Sequence, residues 1–196
     1  MVMTKDLRYV SAKERLIATA HKTTYDYLFH PKKSVVGNWL KHKTSVLQID
    51  SFVFAHGGII DFEEKSLQHF NSKAYTHMTK PMFLDLIEDY PDTASYSKKD
   101  WLDMRNFFFK YNSPYWFRGY IKSDTLEVSL DRMLTKFGAN THVVSHTPLR
   151  AIDKKYRGKL LATDLLVPAT ELLFIEKKNG KTKNYSIKID GLKSVI

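Results

Sequence analysis

The sequence predicts an α/β or mixed α+β domain, on three observations. Apolar runs of strand length stand at 51–55 and 141–145, helical stripes fill most of the stretch between them, and Asn179-Gly180 marks a hairpin between two further extended runs. The 196 residues suit one domain of ordinary size, spanning 1–196. At 43% hydrophobic and 27% charged, the chain can bury a core.

Each element has its own signal. Ser11 and Glu14 stand at capping-box spacing, where each side chain satisfies the other's backbone donor, so a helix opens here. Leu16, Ala20, Tyr27 and Leu28 continue it on one side to about His30, and Pro31 stops it. A short helical piece is expected at about 35–40, then extended segments at 45–49 and 51–55 with Asp50 as the turn. Phe52-Val53-Phe54-Ala55 is apolar without alternation, as in a strand covered on both faces.

A helical insert is expected at about 63–112. Pro81 suits a first helical position, Phe83, Leu86, Ile87 and Tyr90 form a stripe, and Ser97 caps a helix with Trp101, Arg105 and Phe108 on one side. Asp124 and Glu127 open the next helix, which turns Leu126, Leu130, Met133, Leu134 and Phe137 inward and ends at Gly138. Extended runs at 141–145, 159–164, 171–177 and 183–189 follow. The last two flank Asn179-Gly180, whose residues tolerate the positive φ of a tight turn.

Composition excludes several classes. There is no cysteine, hence no disulfide scaffold, thiol nucleophile or thiolate zinc site. No apolar run approaches the roughly 20 residues of a membrane-spanning helix, and the first residues show no signal-peptide pattern. The compartment stays open: a cytoplasmic location fits the chain as it stands, and a region preceding it could carry an export signal. Lysine and arginine outnumber acids 31 to 21, for a net charge of +10. Such an excess suits anionic partners such as phosphate esters, and it equally suits a well-solvated surface. Lysines 177, 178, 181, 183 and 188 crowd the final hairpin, but no recognition-helix, zinc-finger or RNA-binding signature accompanies them, so nucleic acid is not the expected partner.

Three residues stand out as candidates. His56 and His146 each follow an apolar strand, at the carboxyl ends where α/β sheets bind ligands. Imidazole suits zinc, iron, nickel or copper, and each histidine could equally be a hydrogen-bonded residue beside a turn. Gly57-Gly58 would let the backbone pass close to a bound group. His142 and His146 are set aside as a chelating pair, because four residues on a strand span about 13 Å. Arg118, in Pro114-Tyr115-Trp116-Phe117-Arg118-Gly119, could fork two phosphate oxygens or stack on Trp116 or Tyr120.

Phe52-Val53-Phe54-Ala55-His56-Gly57-Gly58-Ile59, then Pro114-Tyr115-Trp116-Phe117-Arg118-Gly119, then Val143-Val144-Ser145-His146-Thr147-Pro148 together resemble the calcineurin-like metallophosphoesterases. The likeness is to their bacterial phosphoprotein-phosphatase-like branch, the Shewanella-like phosphatases included, and it spans nearly the whole chain. It implies a β-sandwich flanked by helices, of which this chain resembles the carboxyl-terminal part. It implies His56 and His146 as ligands of the second metal (Mn, Fe or Zn) and Arg118 as the holder of substrate phosphate. Ser145 stands where the family carries glycine, and Asp164-Leu165 where it carries Asp-Thr-Gly.

The family's Asp-x-His, Gly-Asp-x-x-Asp-Arg-Gly and Gly-Asn-His-Glu motifs are absent from this sequence. The opening residues resemble the stretch just after Asn-His-Glu in relatives. The resemblance therefore implies part of a two-metal phosphoesterase for phosphate monoesters or phosphoproteins, inactive or nearly so alone, with a separate amino-terminal half as a partner. Asp61 and Asp153 are carboxylates that could approach the histidines in space. The alternative is a basic, non-catalytic module binding phosphate or nucleic acid.

Overall fold

The computed structural model describes residues 11–20, 27, 29–60, 62–80, 83 and 96–196. The chain divides into two compact units, one of residues up to 44 with 68–110, the other of 45–67 with 111–196. The stripe from Leu86 to Tyr90, Pro81, Leu28 and Asp61 lie outside the described residues.

The first unit is helical. Helix α1 (Ala12–Ala20) opens on the expected capping box: the Glu14 N–H donates to Ser11 Oγ, and the Ser11 N–H donates to Glu14 Oε2 at 2.7 Å. α2 (Val35–Lys41) is capped by Ser34, whose hydroxyl accepts the Gly37 N–H. α3 (Leu67–Thr79) and α4 (Lys98–Phe109) supply aromatic packing, with Phe70 stacked on Phe107 at 4.6 Å. Ser97 caps α4 and Trp101, Met104 and Phe108 are buried on it, while Arg105 lies over the Trp101 ring. α3 and α4 fall within the segment in which the helical insert was expected, of which 81–82 and 84–95 lie outside the described residues.

The second unit is a mixed α/β fold. β1 (Val46–Ile49) turns at Asp50, with φ of 50°, into β2 (Phe52–Ala55), its antiparallel partner. β2 runs parallel to β3 (Thr141–Val144), and β3 parallel to β5 (Leu160–Ala162). β4 (Asp153–Lys155) pairs antiparallel with β5 and completes a five-stranded sheet of order β1-β2-β3-β5-β4. All four residues of β3, the central strand, are buried.

Strands β6 (Glu171–Lys178), β7 (Lys181–Lys188) and β8 (Lys193–Val195) make a second, antiparallel sheet. Asn179 and Gly180 turn its hairpin with φ of 51° and 73°. Phe52, Val143 and Leu161 project from strands of the first sheet and pack against Leu173, Ile175 and Ile196 beside the second. On the opposite face, His142 meets the ring of Tyr120 from the short helix α5 (Gly119–Lys122). α6 (Glu127–Phe137) buries Leu130, Met133 and Leu134 and ends on Gly138 in the left-handed conformation. The unit thus holds a five-stranded sheet with the smaller sheet packed on one face and α5 on the other, with α6 next in sequence.

Three expectations shift. The run expected at 159–164 is the shorter β5, with β4 beside it. The helix at 124 begins at Glu127, after Ser123 bonds the Thr125 N–H and interrupts the turn. β8 follows where no strand was expected.

Candidate functional site

β2 and β3 lie side by side with Ala55 opposite Val144, and each delivers a histidine just past its carboxyl end. The Ser145 N–H donates to the His56 carbonyl at 2.9 Å, extending the ladder by one step. His146 then adopts φ of 65°. That left-handed conformation costs an L residue roughly 1–2 kcal/mol. In it, His146 Nδ1 lies 2.9 Å from His56 Nε2, with ring centroids 4.7 Å apart. With one proton between them the two nitrogens share a hydrogen bond; with none, two lone pairs face each other.

His146 Nε2 is buried and has no partner among the described residues, and the same holds for the Thr147 hydroxyl. Burial holds the His146 pKa below its ordinary value, the charges of Arg118 and His56 add to this, and Asp164 opposes it. The Trp116 and His146 rings meet edge to face, perpendicular, with centroids 5.2 Å apart. Asp164 belongs to the surroundings of the pair, and Trp116 touches it. Sequence reasoning gave Trp116 only a packing role, and its place in the Arg118 segment was the available signal.

The segment carrying Arg118 is held by the two glycines. The Gly57 N–H donates to Pro114 O at 2.6 Å and the Gly58 N–H to Phe117 O at 2.8 Å. A Cβ at Gly57 would stand 2.8 Å from the Phe117 nitrogen, and one at Gly58 2.6 Å from the Tyr120 ring. Gly57 therefore admits the chain's own 114–117 backbone, and Gly58 admits the rings of Tyr120 and Phe117. The Tyr115 hydroxyl donates to Ser45 Oγ at 2.5 Å, and burial pushes its pKa up to about 12. Arg118 stands at the start of α5, and its charge reaches His146. Among the described residues its guanidinium makes no hydrogen bond, ion pair or ring contact, so the stacking on Trp116 or Tyr120 is not found.

His142 sits below this site and supports it. It is fully buried, its Nδ1–H donates to Val53 O at 2.9 Å, and its Nε2 accepts the Ile59 N–H at 3.0 Å. Burial lowers its pKa to about 4, which keeps it neutral. With both nitrogens engaged it has no lone pair for a metal, in keeping with the rejection of the His142–His146 pair.

The structure brings His56 and His146 together and sets Arg118 within electrostatic reach. Two nitrogens 2.9 Å apart fit adjacent positions around one cation with bonds of about 2.1 Å. Among the described residues no three His, Asp or Glu side chains form a metal-holding group, so neither Asp153 nor Asp164 completes the set. The donor set fits two positions on one ion.

The sheet and its strand-end histidines define a mixed α/β protein in which His56 and His146 meet at the carboxyl ends of parallel strands, with the charge of Arg118 reaching His146. Its fold is similar to that of a phosphatase. A solved structure of the cold-active protein tyrosine phosphatase of a psychrophile, Shewanella sp., aligns with all of this chain at 26% identity and a TM-score of 0.76. A further structure of a cold-active protein tyrosine phosphatase and one of a point mutant of such an enzyme give TM-scores of 0.77 and 0.75 at the same identity. The alignment covers 54–55% of those chains, so this chain spans about half their length. No protein-family model matches the chain, and no curated protein matches it. No helix among the described residues is long and apolar enough to cross a membrane.

Proposed function

We propose that the chain contributes to a metal-dependent phosphoesterase site of the calcineurin-like type. His56 and His146 hold one divalent cation (Mn, Fe or Zn), and Arg118 binds the substrate phosphate. The approach of His146 Nδ1 to His56 Nε2 at 2.9 Å carries this reading. A divalent cation there supplies positive charge to phosphate oxygens and lowers the pKa of water.

The chain's own residues do the rest. Burial, with the charge of Arg118, lowers the His146 pKa and so favours the neutral form, which offers a lone pair. The Gly57 and Gly58 hydrogen bonds hold the backbone that leads into Arg118, and the arginine's guanidinium, unpaired within the described residues, suits two oxygens of a phosphate. Likeness to protein tyrosine phosphatases supports a phosphate monoester or phosphoprotein as substrate. The remaining ligands and the proton donor lie beyond this set. Three of the family's motifs are absent from the sequence and no third ligand stands among the described residues.

The test is an assay of the purified chain with p-nitrophenyl phosphate and manganese, beside calorimetric titration with phenylphosphonate. Negligible turnover is expected, with phosphonate binding weakened at least about tenfold by Arg118→Ala. Robust turnover lost in His56→Ala would show that the chain holds a complete site, and phosphonate binding indifferent to Arg118→Ala would remove the arginine's role.

A further inference from the structure

The outward face of the β6-β7-β8 sheet is composed unlike a solvated sheet face. The inward face is fixed by Leu173 and Ile175, which pack on the first sheet, and by the buried Ser186 opposite Leu173. Strand alternation then turns Leu172, Phe174, Glu176 and Lys178 outward on β6. Register adds Ile187, Tyr185, Lys183 and Lys181 on β7, and Lys193 and Val195 on β8. Leu172 is 55% exposed, Phe174 39% and Val195 69%.

Two features of this face suit a partner that carries both charge and π-faces. Phe174 and Tyr185 are directly opposed on neighbouring strands, with ring centroids 6.2 Å apart. The Lys193 ammonium lies 4.7 Å from the Phe174 ring centre and 3.8 Å from that of Tyr185. Toward the hairpin turn, Lys178 and Lys181 are directly opposed, with Lys183 two residues on. Like charges so placed destabilise a sheet, and a polyanion relieves the repulsion. Glu176 is the face's single acid, and it is engaged by the Tyr185 hydroxyl and Lys193.

We propose that this face binds single-stranded nucleic acid. Bases stack on Phe174 and Tyr185, while Lys178, Lys181, Lys183 and the displaced Lys193 meet the phosphates. Aromatic side chains at the centre of a sheet with flanking cations form such a platform, because every base has a π-face and every nucleotide a charge. An acidic peptide would use the lysines and leave the paired rings without a role. The sequence set nucleic acid aside for want of a motif; the platform here comes from cross-strand register, which leaves no linear signature.

Fluorescence anisotropy of the whole chain with a labelled oligothymidylate and an oligouridylate of about 12 nucleotides tests this. Saturable binding is expected, weakening as salt rises with a log–log slope of about −3 for four phosphate contacts. Phe174→Ala should weaken it at least about fivefold without flattening the salt dependence. Lys181→Gln with Lys183→Gln, exposed changes that leave the fold intact by circular dichroism, should weaken it and flatten the slope. Preference for one oligonucleotide identifies the sugar. Absence of binding at low salt overturns the proposal, as does binding indifferent to both sets of variants. Equal competition by polyglutamate overturns it too, since an acidic polypeptide would then be the better occupant.

Discussion

His142 Nε2 accepts the backbone N–H of Ile59, 83 residues earlier in the chain, at 3.0 Å. Its other nitrogen bonds the Val53 carbonyl, so one buried imidazole fastens β3 to β2 and to the turn that begins with His56. The geometry of the candidate site therefore depends on a histidine that takes no part in it.

The pH dependence of stability follows. The native pKa of His142 is lowered to about 4 from an ordinary 6.5 by burial. Between those values the unfolded chain binds a proton that the native chain does not, so stability falls as pH drops from about 7 toward 4. The loss is on the order of 3 kcal/mol. Urea unfolding at about pH 7 and about pH 4.5 checks it: His142→Gln should be less stable at neutral pH and lose less on acidification. An unchanged pH slope would count against the buried neutral imidazole.

Gly58→Ala should destabilise the fold by about 1–3 kcal/mol, because its Cβ meets the rings of Tyr120 and Phe117 at 2.6 and 2.7 Å. It should also weaken phosphonate binding, since Gly58 bonds the residue before Arg118. Gly138→Ala enters open space but keeps φ of 60°, so it should cost about 1–2 kcal/mol and leave phosphonate binding unchanged. Equal effects of the two on binding would contradict the glycine–loop contact.

Tyr115→Phe removes the hydroxyl bonded to Ser45 and should cost about 0.5–1.5 kcal/mol in thermal or urea unfolding. With its phenol pushed up to about 12 by burial, Tyr115 should ionise late in an ultraviolet titration, and the variant should lose a late-titrating phenol. A titration identical in the variant would show that Tyr115 is solvated.

Leu161 is fully buried where the five-stranded sheet meets the residues beside the second sheet. Leu161→Ala should cost about 2–5 kcal/mol in urea unfolding, and a loss below about 1 kcal/mol would show that the sheets are loosely packed there.

Much of this fold is legible where one residue governs local backbone chemistry. Ser11 with Glu14, Ser97, Asp50, Gly138 and Asn179-Gly180 each act within a few residues, and each sits at the expected boundary. β4 and β8 are not legible: each has three residues, lysine among them, and each is a strand only because a partner offers a ladder. The site divides the same way. The strand-end positions of His56 and His146 show in the sequence, but their contact depends on the parallel pairing of β2 with β3 and on a left-handed His146. The His142 anchor and the docking of 114–117 on Gly57 and Gly58 are long-range contacts with no linear pattern.

The central claim is that two imidazoles share one cation, and side-chain NMR of the eight histidines tests it most directly. Titrated with Mn²⁺, the ring signals of His56 and His146 should broaden together and before those of the other histidines. His56→Ala should abolish the selective broadening of His146. Uniform broadening across all rings, or none at His56 and His146, would contradict the account.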